Sequence, residues 1–287
     1  MLDKAAVKSG PTSPWMLCPV SQVEETKQMI KMIPVLIATL IPSTITAQVG
    51  TLFIKQGTTL NRSLGPHFDI PPACLTSFVV IFMFISLVIY ERHFVPAIRK
   101  YTGDPRGISL LQRLGIGLVL HIIIMITACF AERTRLSVAR ENGILGKNQT
   151  VPLTIFILLP QFALMGIADA FVDVSKLEFF YDQAPQGMKS LGTSYFTTSV
   201  GIGNFLSSFL LTTVSHITKK HGHRGWIQNN LNTSRLDYFY AFYAILSFLN
   251  LLFFLLVAKF YVYNEEVDVI ESKRELQKVM EPSPNEI

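Results

Sequence analysis

Apolar residues in this chain gather into six long runs instead of alternating with polar ones. The runs cover 33–54, 73–90, 114–130, 151–171, 195–217 and 238–263. A helix rising 1.5 Å per residue needs about 20 apolar residues to cross ~30 Å of hydrocarbon. Each run is close to that length. The pattern predicts an all-α integral membrane protein with six transmembrane helices over 33–263. A polar segment, 1–32, leads into this bundle, and a charged tail, 264–287, follows it; both are expected in the cytoplasm.

Interruptions in the runs carry information. Pro34 and Pro42 lie in the first and Pro152 and Pro160 in the fourth. Proline removes a helix hydrogen bond, which membrane helices tolerate where a neighbour satisfies the freed carbonyl. Small and hydroxyl residues cluster at Ser43, Thr44 and Thr46 in the first run. They do so again at Thr197, Thr198, Ser199, Gly201, Gly203, Ser207 and Ser208 in the fifth. Close helix packing and a polar wall around a solute path both use such residues, and packing is the favoured reading for the fifth run.

The sharpest polar signal is at the end of the fourth run. Asp169 and Asp173 are four apart, and Lys176 follows three later, so the three share one helix face. A carboxylate at membrane depth is costly unless paired or hydrated. Asp173 and Lys176 fit a mutual ion pair close to the cytoplasmic end, and the deeper Asp169 fits a cavity lining.

Composition narrows the class. Mean hydropathy is +0.38 and only 16% of residues are charged, against about 25% in soluble domains. The net charge of +5 therefore reflects headgroup contacts and topology, not nucleic acid. The basic stretch holding Arg92, Arg99, Lys100, Arg106 and Arg113 between the second and third runs points to the cytoplasmic side. Arg133, Arg135, Arg140 and Lys147 sit in an alternate connection and weaken that bias. Glycosylation sequons at Asn61, Asn148 and Asn232 all fall opposite the termini. Cys18, Cys74 and Cys129 are far apart and read as packing residues. No cleavable leader, metal-ligand spacing, nucleotide loop or nucleophile motif is visible, and His221-x-His223 is too small a set for a metal site. An enzyme is not expected.

Four stretches carry a family resemblance. They are Ile70-Pro-Pro-Ala-Cys-Leu, Thr102-Gly-Asp-Pro-Arg-Gly-Ile-Ser-Leu-Leu-Gln-Arg, Leu177-Glu-Phe-Phe-Tyr-Asp-Gln-Ala-Pro-Gln-Gly-Met-Lys-Ser and Asn230-Leu-Asn-Thr-Ser-Arg-Leu-Asp-Tyr-Phe-Tyr. Together they resemble the plant branch of the proton-dependent oligopeptide transporters, the nitrate/peptide transporter family. That resemblance implies a major facilitator fold of twelve helices in two halves, of which this chain matches the second. It implies a proton-coupled symporter of peptides, nitrate or other small solutes, incomplete in this chain. The Glu-x-x-Glu-Arg motif expected of the first half does not occur. The coupling proton is the only cofactor implied.

By the same resemblance Asp169 stands at the family's acidic position on its tenth helix, one methylene shorter than the usual Glu. Thr46 stands at a substrate-facing position held by Tyr or His in relatives, and has neither phenol nor imidazole. Gln48 reads as a neutral hydrogen-bonder of the same cavity, with Asp173 and Lys176 as a nearby gating pair. The expected partners are the bilayer, a small solute, and the missing half or a full-length relative. The expected site is the plasma or vacuolar membrane, with both termini cytoplasmic. A second reading is a non-transporting membrane protein that associates with or regulates full-length relatives.

Overall fold

The computed structural model describes residues 6–7, 18–102, 107–146, 149–219 and 225–261. Ten α-helices are numbered here in chain order: α1 Val20–Lys31, α2 Ile33–Ala38, α3 Leu40–Gln48, α4 Ile54–Thr58, α5 Thr76–Ile89, α6 Val95–Thr102, α7 Leu110–Glu141, α8 Leu159–Gln183, α9 Lys189–Thr218 and α10 Leu236–Phe260. They join into six membrane-length units. Pro72–Tyr101 is continuous through α5 and α6, and the pair Val20–Ala38 and Leu40–Thr58 forms one unit bent by 41°.

The bend has a visible cause. Pro42 sits in the first turn of α3 and has no N–H to return to the carbonyl of Ala38. Asn250 on α10 supplies the missing donor, with its Nδ2 2.9 Å from that carbonyl. The Thr39 hydroxyl donates to the Leu36 carbonyl at 2.7 Å on the other side of the break. The freed backbone groups are thus satisfied inside the bundle, as hydrocarbon demands.

The fourth run departs from expectation. Val151–Thr154 is extended, not helical, and pairs in parallel with Leu60–Asn61. Pro152 therefore lies in a strand, and Pro160 lies in the first turn of α8. Neither interrupts a helix, and the Phe156 carbonyl that Pro160 cannot reach accepts the Leu159 N–H instead. The third unit is also longer than its apolar run. It begins at Ser109, whose hydroxyl accepts from the Gln112 N–H while the Gln112 side chain accepts from the Ser109 N–H. It ends at Glu141, so Arg133, Arg135 and Arg140 are helical and not loop cations. Arg113 is likewise buried in α7, over the Tyr90 ring at 4.3 Å and bonded to the Ala170 carbonyl.

Small residues set the helix approaches. A Cβ on Gly166 would fall 2.2 Å from the Val79 carbonyl oxygen, so α8 meets α5 backbone to backbone. A Cβ on Gly203 would fall 2.5 Å from Ser43 Cβ, which brings α9 onto α3. The fifth run divides by face. Gly192, Ser199, Gly203 and Ser207 are buried, whereas Thr197, Gly201, Asn204 and Ser208 are exposed. α5 and α9 are the least covered spans, and α5 buries no residue fully.

Two apolar clusters fill the interior. One gathers Phe53, Phe162, Phe239 and Tyr240 near the loop end, with Phe53 edge-on to Phe162 and Tyr240 at 5.6 and 5.7 Å. The other gathers Met32, Phe179, Phe180 and Phe254 near the end where α1 begins. Asn61 is exposed. Asn232 is buried, and its Nδ2 donates to the carbonyls of Gly146 and Gln149. A glycan on that nitrogen would break both bonds, so this sequon is occupied by structure in the folded state. Asn148, Arg106, His221, His223 and the tail 264–287 lie outside the described residues.

The Asn250 bond makes a double-substitution test. Asn250→Leu should leave the Ala38 carbonyl unsatisfied and lower stability by about 1–3 kcal/mol. Adding Pro42→Ala, which restores an N–H to the helix, should recover part of that loss. Thermal unfolding in detergent measures both, and strictly additive losses would contradict the pairing.

Candidate functional site

α8 presents its acidic face to α3. Spacing of four and three residues stacks Asp169, Asp173 and Lys176 along one side. The Thr46 hydroxyl on α3 shares its proton between Asp169 Oδ1 at 3.3 Å and the Pro42 carbonyl at 3.2 Å. Two turns along α8, Lys176 Nζ lies 2.9 Å from Asp173 Oδ1 and 3.2 Å from Ser43 Oγ, and 4.9 Å from the Phe196 ring centre on α9. Ser43 and Thr46 are three apart on α3, about 4.5 Å of rise, while Asp169 and Lys176 are seven apart on α8, about 10 Å. The two helices thus meet through two polar rungs.

Exposure separates the three charges. Lys176 is 1% exposed, so its ammonium does not snorkel to the interface but is held inside. Asp169 is 7% exposed. The carboxylate that faces outward is Asp173, whose side chain is 31% exposed. With both carboxylates ionised, the site carries one net negative charge.

Gln48 is elsewhere. It is fully buried, and its Nε2 donates to Ser207 on α9 at 2.8 Å and to the Tyr243 hydroxyl on α10 at 3.3 Å. Two residues along a helix turn the side chain by about 200°, so Thr46 and Gln48 cannot share a face. Gln48 ties three helices together and does not join the Asp169 cluster.

A second polar cluster was missed in the sequence. Arg135 forms a two-pronged ion pair with Glu132, at 2.8 Å from Nε to Oε2 and 2.5 Å from Nη2 to Oε1, with neither side chain exposed. Arg135 also donates to Thr59 Oγ1, Asn232 Oδ1 and the Leu231 carbonyl. Glu132 accepts in addition from Gln56 at 2.8 Å, and Gln161 donates to Gln56 at 3.3 Å. The network thereby ties α7, α4, α8 and the Leu231–Thr233 turn together at one end of the bundle. The three-residue spacing of Glu132 and Arg135 was a usable signal, hidden because the apolar run stops at Phe130. His121 was also missed. It is buried on α7 with Nδ1 2.9 Å from the Gly117 carbonyl, and its Nε2 has no hydrogen-bond partner. Among the described residues, no three His, Cys, Asp or Glu side chains are placed to hold a metal.

Over residues 1–227 the chain matches the POT family, PTR2. The chain belongs to that family. It is 61% identical over 267 residues to the Arabidopsis thaliana protein NRT1/PTR FAMILY 5.2, covering 93% of this chain and 46% of that protein. NRT1/PTR FAMILY 5.3 of the same plant is 58% identical over 267 residues, covering 93% and 45%. The chain thus spans about half the length of these curated relatives. An auto-inhibited POT family peptide transporter, solved by crystallography, superposes with a TM-score of 0.63 at 20% identity, over 86% of this chain and 44% of that one. The six-span bundle is therefore half of the major facilitator fold that the POT family uses.

The Arg135 cluster predicts a strong asymmetry. Arg135→Met leaves a buried carboxylate short of its counter-charge and should cost about 3–5 kcal/mol. Glu132→Gln combined with Arg135→Met should cost clearly less. Denaturant unfolding in micelles decides, and equal losses would show that the pair is not a closed unit.

Proposed function

We propose that this chain is the C-terminal half-bundle of a proton-coupled symporter for peptides, nitrate or another small solute. It resides in the plasma or vacuolar membrane with both termini in the cytoplasm. The observation that carries this is the Thr46–Asp169 contact beside the Asp173–Lys176–Ser43 group, a titratable patch at membrane depth on two helices that can move against each other. Intramembrane ionisable groups are costly to keep and mark solute or proton paths. Carriers built from repeats bind near the midplane between halves that rock.

The residues divide the work as follows. Asp169 supplies the carboxylate that takes the coupling proton or a cationic solute group. Thr46 orients that carboxylate by donating to it. Lys176 counters Asp173, and a proton reaching either carboxylate removes the patch's net charge. The Lys176–Ser43 bond is then free to rearrange, which is how protonation loosens α8 from α3. Thr46 offers a donor but no titratable ring, which favours solutes recognised by the carboxylate over those needing an imidazole cation.

A second reading has one observation in its favour. The half-bundle buries its own clusters, Asp169 included, so it can persist in a membrane and associate with full-length relatives without transporting.

The test is Asp169→Asn in a full-length carrier made by restoring an N-terminal half. The change keeps size and removes charge. Uptake at acidic pH in oocytes, at equal surface expression, should fall by about tenfold or more. Equal rates would remove Asp169 from coupling.

A further inference from the structure

The loop end of the bundle carries a cleft of about 310 Å³ between the last turns of α7 and the first turn of α10. Arg133 and Arg140 line it from α7, and Arg235 from the residue preceding α10. All three are exposed, and among the described residues none pairs with a carboxylate. Arg235 rests on the Tyr238 ring at 5.3 Å and donates to its hydroxyl at 3.4 Å. Asp237 lines the same cleft and is 8% exposed, yet its Oδ1 is buried with no donor. The positive end of α10 favours this carboxylate but brings it no hydrogen. The cleft is therefore lined by three arginines with no carboxylate partner among the described residues and by Asp237, whose buried Oδ1 lacks a hydrogen bond.

Its depth is fixed by α7. Thirty-two residues span about 48 Å against ~30 Å of hydrocarbon, and the apolar run ends at Phe130. The last turns of α7 thus stand in the headgroup layer. Trp226 packs on Tyr238 at 5.6 Å, an aromatic pair suited to that layer. Directly below, Ile126 on α7 and Ile245 and Phe248 on α10 are exposed and apolar.

We infer that this cleft holds the headgroup of a phospholipid with a primary amine, an ethanolamine type. The phosphodiester sits on Arg133, Arg140 and Arg235. The ammonium donates to Asp237, and the acyl chains run over Ile126, Ile245 and Phe248. A choline headgroup has the phosphate but no N–H for Asp237. A glycerol headgroup has the same phosphodiester for the arginines but offers Asp237 only neutral hydroxyl donors in place of an ammonium, so it lacks the ion pair. The arrangement thus predicts an order among lipids, not general attraction to charge.

Native mass spectrometry of the full 287-residue chain in detergent tests this with phosphatidylethanolamine, phosphatidylcholine, phosphatidylglycerol and inorganic phosphate as probes. The ethanolamine lipid should be retained over the other two. Arg140→Gln and Arg235→Gln should each weaken its retention about fivefold. Asp237→Asn should abolish the preference over the glycerol lipid without abolishing binding. Ser137 also lines the cleft, and Ser137→Phe, which fills it while keeping every charge, should also lose the lipid with unchanged circular dichroism. Equal retention of all three lipids, displacement of the ethanolamine lipid by inorganic phosphate, or retention unaffected in Ser137→Phe would each overturn the assignment.

Discussion

Hydrocarbon offers no hydrogen bonds, so every polar group in the six spans must find its partner inside the protein. Much of the architecture follows from that constraint. Pro42 frees a carbonyl, and Asn250 crosses from α10 to take it. Lys176 enters the interior only because Asp173 and Ser43 hold it there. Glu132 and Arg135 cancel each other one turn apart, and their remaining hydrogen-bonding capacity gathers Gln56, Thr59 and the Leu231–Asn232 turn. These polar ties, more than apolar contact, fix which helix faces which, because a lipid tail is as good a neighbour for Leu as another Leu is.

The two polar clusters differ in kind. The Glu132–Arg135 unit is closed: both side chains are unexposed and the arginine's donors are spread over several elements. It suits an anchor that keeps the loop end rigid. The Asp169–Asp173–Lys176 unit is open at one side, since Asp173 is partly exposed and the rungs to α3 are single hydrogen bonds. A carrier needs both. In the proposed carrier one end holds while the other exchanges partners.

How much of this was legible in the sequence depended on spacing and depth. The six spans came from run length, and the Asp173–Lys176 pair from a three-residue step on a helix. Thr46 entered only through family resemblance, because nothing local distinguishes it from Ser43 or Thr44. Gln48 was assigned to the same cavity as Thr46, although a two-residue step places it on another face. Arg135 was taken for a loop cation because a hydropathy pattern records the cost of each charge and not its cancellation by a neighbour. Val151–Thr154 was taken for helix because a short apolar run reads alike in either state, and only its pairing with Leu60–Asn61 decides. The cleft between α7 and α10 was invisible, since Arg133, Arg140 and Arg235 meet only after two helices pack.

The central claim is that this bundle is one wall of a carrier whose other wall completes the path. The most direct measurement is gradient-driven uptake into liposomes holding the 287-residue chain alone or together with a separately expressed N-terminal half from a full-length relative. The account predicts no proton-driven uptake of peptide or nitrate by the chain alone, and uncoupler-sensitive uptake when both halves are present. Uncoupler-sensitive uptake by the chain alone would contradict it.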